Sequence, residues 1–269
     1  METRATRIGL VVWTTLVVLF LWLPLVLIGV YAFNKSNIQS WPFPGWTTHW
    51  FSEAWHNSEV RSSLYLSLKV GLLATGFALV LGSMAAFAIH RFRFFGRESV
   101  SFLLLLPIAL PGIVTGIALS NAITTTLEPI GVQLCMIPVI LGHATFCVVV
   151  VYNNVLARLR RTGTSLEDAS MDLGAGVFQT FRYITFPAVR SALIAGALLA
   201  FALSFDEIIV TTFTAGASVQ TLPLWIFTNL ARPNQAPVVT VVAAVLIVVS
   251  IFPVWLAQRV SSDTAGGRL

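Results

Sequence analysis

Two adjacent carboxylates, Asp206 and Glu207, stand in the segment LSFDEIIVTTF, whose other polar residues are only Ser204, Thr211 and Thr212. An acidic side chain at the centre of a membrane helix costs about 2.5–3.5 kcal/mol on insertion scales, so such a pair has to face protein interior or water. Two kinds of chemistry fit: an electronegative site for a cationic substrate, or an internal ion pair with Lys69 or a partner subunit. On a continuous helix Ser204, Glu207 and Thr211 share one face and Asp206 lies about 100° round, so one acid at most lines a path. Pro111 and Gly112, in PGIVTGIAL, are expected beside that path. A helix broken at membrane depth needs protein or a cavity to satisfy its freed backbone groups.

A second group of residues suits a mechanical role. Thr164 to Pro187, TSLEDASMDLGAGVFQTFRYITFP, is polar enough to live in water yet patterned like structure. Thr164 with Glu167, and Ser165 with Asp168, form two overlapping capping boxes that predict a helix start, with the acids in the first turn where the helix dipole favours them. Leu166, Ala169 and Leu173 recur at helical spacing, and Gly174 stands where a C-terminal cap takes positive φ. A second helix with Val177, Phe178, Phe181 and Ile184 as its apolar positions is expected to run until Pro187 interrupts it and starts the next apolar block. The pair of short helices offers a partner a rigid knob: Leu166, Met171, Phe178 and Phe181 for apolar contact, Asp168 and Arg182 for polar contact. Phe178 and Phe181 have an equal claim to pinning the loop onto neighbouring helices, because a helix this short has little stability unaided.

The elements that must position both groups are membrane spans. The chain has 269 residues, of which 57% are hydrophobic and 10% charged, and its mean hydropathy is +0.85; this excludes a soluble globular domain. The net charge of +5 is scattered over short loops and does not point to nucleic acid. Apolar blocks predict spans at about 8–33, 62–89, 101–125, 135–156, 188–214 and 237–257, each near the roughly 20 residues a crossing needs. The first exceeds the core of about 7–15 residues expected of a cleaved signal peptide. Between the first two spans, Trp41, Trp46, Trp50 and Trp55 suit the headgroup region, and Phe51, Ala54 and Trp55 with Glu53 and His56 between them predict a helix along the outer surface. The third span is broken by Pro107, Pro111, Gly112 and Gly116, and a short turn with Glu128 and Pro129 leads to the fourth. Of the 16 Lys and Arg, twelve fall on the side shared by both termini and the 158–187 loop, three (Lys35, Arg61, Arg232) on the other, and Lys69 inside the second span. That asymmetry places the termini and the loop in the cytoplasm. Cys135 and Cys147 read as small buried hydrophobes, and His143, Asn153 and Asn154 as hydrogen-bonding groups between helices.

The loop resembles the EAA loop of ABC importer permeases, the cytoplasmic segment that docks on an ATPase subunit. Asp168, Ala169 and Ser170 stand for Glu-Ala-Ala, Gly174 falls on the glycine, Ile184 on the isoleucine, and Phe186-Pro187 on the final Leu-Pro, with every spacing kept and Asp, Ser and Phe as departures. SFDE before a threonine-rich segment, together with PGIVTGIAL, is similar to the spermidine/putrescine class of these permeases, and the resemblance covers nearly the whole chain. It implies an all-α polytopic membrane protein of the type I (MetI-like) importer fold, a single domain with six spans, a periplasmic interfacial helix and a cytoplasmic coupling loop, in a bacterial inner membrane. It also implies a second permease, two copies of an ATPase that binds ATP and Mg, and an external binding protein. A phosphate-cradling GxxxxGK[ST] loop is absent from the sequence, so hydrolysis falls to the partner. The chain itself is expected to carry no catalytic residue, metal or cofactor. Two readings of other classes are an ion- or proton-coupled secondary transporter in which Asp206 and Glu207 hold the coupling ion, and a non-transporting scaffold in which both acids are dispensable.

Overall fold

The computed structural model describes residues 4–38, 41–128, 131, 134–217 and 219–265. Pro129, Arg268 and the last four residues of the expected loose tail lie outside them. The described residues are almost wholly helical, and they cluster into two compact units: Met1–Arg61 with Trp225–Phe252, and Ser62–Leu224 with Pro253–Leu269.

In the first unit α1 (Arg4–Tyr31) is an apolar helix of 28 residues with Pro24 inside it. The chain then folds back through an antiparallel bridge between Asn34 and Trp46, and the Trp50 indole donates to Asn34 O at 2.9 Å. The helix expected from the tryptophan-rich stretch is α2 (His49–His56). Asn57 ends it and starts the next, because its side-chain oxygen accepts from the backbone N–H of Glu59 at 2.9 Å, as an N-cap residue does. The fully buried Trp225 donates to Glu59 Oε2 at 3.0 Å.

In the second unit α3 (Ser58–Arg91), α4 (Arg97–Ala109), α5 (Gly112–Ala122), α6 (Met136–Thr162), α7 (Ser165–Asp172), α8 (Val177–Thr180), α9 (Phe186–Phe205) and α10 (Ile209–Thr214) follow in order. α6 is central, and Cys147, Val151, Tyr152, Val155 and Leu159 form the middle of the apolar core with Ala78, Ala86, Val189 and Ala200. Small residues let the backbones close up: a Cβ on Gly82 would lie 2.7 Å from Val148 O, and one on Gly196 3.3 Å from Val151 Cα. Tyr152 Oη and Ser101 Oγ, 2.7 Å apart, tie α6 to α4. α11 (Leu222–Asn229) and α12 (Ala236–Ala265) complete the chain.

Among the described residues four helices are long and apolar enough to cross a membrane: Thr6–Tyr31, Ser58–Arg91, Met136–Thr162 and Val177–Phe205. The sixth expected span falls in α12, whose apolar stretch is Ala236–Ile251. The break expected within the 101–125 block is there, α4 and α5 meeting at 106° as a broken span or a re-entrant pair. Leu110 takes extended φ/ψ of −82° and 144°, the conformation that the residue before a proline prefers, and Pro107 and Gly116 sit inside the two helices without breaking them. Nor does Pro187 interrupt its helix, because Val177–Phe205 runs unbroken for 29 residues. A π-helical turn at Phe181–Thr185 precedes the proline, with Phe186 N–H bonded to Phe181 O. That widened turn accommodates the ring where a regular α-helix would clash with the carbonyl four residues back.

Candidate functional site

The elbow between α6 and α9 is built from its backbone outward. Gly163 ends α6 with φ of 68°. α7 then begins at Ser165 with Thr164 as N-cap, so Ser165 is its first helical residue and cannot cap it. Neither expected capping box forms. Thr164 makes no side-chain cap bond, and its carbonyl accepts from Asp168 N–H at 2.9 Å. Glu167 is turned elsewhere: Arg91 Nη2 donates to its Oε2 at 2.6 Å and Thr185 Oγ1 to its Oε1 at 2.5 Å. A guanidinium and a hydroxyl on one carboxylate outbid a single neutral cap.

The C-terminal end of α7 follows the sequence closely. Gly174 adopts φ of 90°, its N–H bonds Met171 O at 2.9 Å and Ala175 N–H bonds Ser170 O at 3.0 Å, the paired bonds of a Schellman motif. Gln179 Oε1 then accepts from Gly176 N–H at 3.0 Å and holds the start of α8. Ser170 Oγ and Thr180 Oγ1, 2.8 Å apart, staple the two short helices together. Ile184 is half-buried and lines a cleft under α7 with Leu159, Leu166, Ala188 and Val189.

The two phenylalanines of the elbow separate in role. Phe181 packs against Phe87 of α3 at a ring distance of 5.9 Å, so it pins the elbow, whereas Phe178 is 72% exposed. Phe178, Leu166, Met171, Val177 and the 90%-exposed Leu173 form an apolar rim beside the exposed Asp168 and Ala169. Clustered exposed apolar groups with a polar edge are the mark of a binding surface.

The expected path residues are arranged differently from a single helix face. α9 stops at Phe205, Asp206 is its C-cap, and α10 begins again at Ile209. Glu207 Oε1 accepts from Val210 N–H at 2.8 Å, so this carboxylate caps α10 in the manner of acidic residues before a helix. Ser204 and Thr211 do converge, but on His143: Nδ1 lies 2.7 Å from Ser204 Oγ and Nε2 2.8 Å from Thr211 Oγ1. All three are buried, so in this structure Ser204 and Thr211 are hydrogen-bonded interior groups. Asp206 stays exposed and Glu207 half-buried. The alternative, an internal ion pair with Lys69, does not form, the ion pairs among the described residues being His49–Glu53 and Arg91–Glu167.

The two breaks lie together. A Cβ on Gly112 would sit 3.7 Å from Ile209 Cβ, and one on Gly116 2.8 Å from Phe213 Cδ2, so α5 and α10 run side by side from adjacent starts. Pro111 and Asp206 thus flank one level of the unit, where two helices are interrupted and the Asp206 side of the break is exposed. Sequence reasoning missed Arg91 and Thr185, and it read His143 as a hydrogen-bonding group between helices without naming its partners Ser204 and Thr211. Arg91 is 76 residues from Glu167 and carries no signal beyond its charge; the pairing of a lone span histidine with the Ser204/Thr211 spacing was the available clue for those partners.

Residues 78–265 match the family model described as "Binding-protein-dependent transport system inner membrane component". The chain is similar to the putrescine transport system permease protein PotI of Escherichia coli (strain K12), 33% identical over 231 residues that make up 85% of this chain and 82% of PotI. It is also similar to the spermidine/putrescine transport system permease protein PotC of the same strain, 32% identical over 254 residues, 94% of each chain. In fold it is similar to a chain from the crystal structure of a bacterial ABC transporter involved in the import of the acidic polysaccharide alginate, with a TM-score of 0.68, 17% identity and 98% of both chains covered.

Proposed function

This chain belongs to the family of binding-protein-dependent transport system inner membrane components, and on that premise we propose that it is the permease subunit of an ATP-driven importer of polyamines. It pairs with a second permease to form the path, takes its substrate from an external binding protein and is driven by two copies of a cytoplasmic ATPase that dock on the Thr164–Pro187 elbow. The observation that carries the reading is that elbow: a braced helix–turn–helix between two apolar helices, with an apolar rim open to a partner. The substrate class is supported by the permeases PotI and PotC, which match along most of their length, and by the carboxylates at the 206–208 break, which have no ion-pair partner among the described residues and suit a cation. The concentration of Lys and Arg on one side supports cytoplasmic termini.

Reconstitution in proteoliposomes tests this reading directly. With the second permease, ATPase and binding protein present, ATP should drive uptake of labelled spermidine or putrescine. Uptake by this chain alone under an ion gradient, indifferent to ATP, would replace the reading by ion-coupled transport.

A further inference from the structure

We propose that Arg91, Glu167 and Thr185 form a joint that transmits movement of the elbow to α3, making Glu167 a positioning residue and not an ATPase contact. This rests on the reading of the elbow as the ATPase dock. Three separate elements meet at the carboxylate: Arg91 ends α3, Glu167 lies in the first turn of α7, and Thr185 closes the π-helical turn that feeds α9. Each oxygen of Glu167 is engaged, Oε2 by Arg91 and Oε1 by Thr185, and Arg91 Nη2 lies 3.4 Å from the Thr185 hydroxyl, closing the triangle. The Glu167 side chain is 14% exposed and Thr185 is buried, so both carboxylate oxygens are engaged within the chain before any partner docks. Asp168, next in sequence, is exposed and remains free for one.

The chain connects α7 to α6 through Gly163 and to α9 through α8, but α3 is far away in sequence. Among the described residues the Arg91–Glu167 pair is the polar link between α7 and α3, and the Phe87–Phe181 ring contact lies alongside it. A short, partly buried ion pair with a shared hydroxyl resists separation because pulling it apart leaves an unpaired charge. A push on the rim is thereby delivered to α3 as well as α9, the kind of contiguous, discrete contact through which coupling travels.

The test uses the complete transporter in proteoliposomes, reading ATPase retention on the permease, ATP hydrolysis and solute moved per ATP. Glu167→Gln should keep the ATPase bound and hydrolysing while solute per ATP falls about fivefold or more. Arg91→Glu alone should do the same, and the exchange Arg91→Glu with Glu167→Arg should return the ratio to within about twofold of the parent. Parental coupling in Glu167→Gln, loss of the ATPase from it, or an exchange variant no better than its single changes would each overturn the joint. Leu173→Asp, on the rim and away from the pair, separates the two readings. If it releases the ATPase while Glu167→Gln stays fully coupled, only the joint falls; if the ATPase stays bound and uptake is normal, docking at the elbow falls and takes the joint with it.

Discussion

His143 Nε2 lies 2.8 Å from Thr211 Oγ1, across a break in the chain that separates Thr211 from α9. Thr211 Oγ1 also donates to Glu207 O at 2.9 Å, and His143 Nδ1 lies 2.7 Å from Ser204 Oγ. One ring thereby holds α6, α9 and α10 together and fixes where the 206–208 break sits. His143→Leu leaves Ser204 without its partner in the interior, which costs about 1–3 kcal/mol. The purified protein should melt several degrees lower, at about 2–4 °C per kcal/mol, and His143→Gln should recover part of the loss. An unchanged melting temperature in His143→Leu would mean that the ring fills space and clamps nothing.

Gly174 supplies a prediction about the backbone alone. A Cβ there meets nothing within 4 Å, yet φ is +90°, so a substitution is strained by conformation and not by crowding. Gly174→Val should distort the elbow at a cost of about 1–2 kcal/mol, abolishing ATP-driven uptake or releasing the ATPase with membrane insertion intact. Gly174→Asn, which tolerates this region better, should retain more uptake. Parental uptake in Gly174→Val, measured at equal protein in the membrane fraction, would remove the coupling role from the turn.

Much of this was legible in the sequence where a local rule decides the outcome. Gly174 had to cap a helix, the apolar blocks had to be long helices, and Pro111 had to break one. Local rules failed where a distant residue competes. Glu167 satisfies a capping pattern with Thr164, but Arg91 and Thr185 make two stronger bonds to it, and nothing near residue 167 in the chain shows that they are there. Helical periodicity put Ser204, Glu207 and Thr211 on one face, but the helix stops at Phe205 and restarts at Ile209, with Glu207 capping the Val210 N–H. Pro187 misled in the opposite direction, because a π-helical turn absorbs what an α-helix cannot.

Helix contact in the second unit gives a ranking of two glycines. A methyl on Gly82 would stand 2.7 Å from the Val148 carbonyl oxygen and 3.0 Å from Val151 Cβ, whereas one on Gly116 meets the Phe213 ring, at 2.8 Å from Cδ2 and 3.3 Å from Cβ. Backbone within the α6 helix cannot retreat without moving the helix, while a ring edge can turn. Gly82→Ala should therefore lower thermal stability by about 1–3 kcal/mol and Gly116→Ala by less, measured as melting temperatures in one detergent. The reverse order would show that the α5–α10 contact is the tighter of the two.

The break at 206–208 gives its two acids different work. Glu207 Oε1 caps α10 through Val210 N–H, and a glutamine keeps an oxygen for that bond, so Glu207→Gln should be mild while Glu207→Ala loses the cap at about 1 kcal/mol of stability. Asp206 is exposed, and no basic group pairs with it among the described residues. Its charge is therefore available to a passing ammonium group, whose hydrogen bond to a carboxylate is worth about 1.5–3 kcal/mol. Asp206→Asn should leave the melting temperature unchanged and raise the concentration for half-maximal spermidine-stimulated ATP hydrolysis by roughly tenfold. If Asp206→Asn responds to spermidine as the parent does, while Glu207→Gln shifts the response without a fall in stability, the cation contact belongs to Glu207 and its cap is incidental.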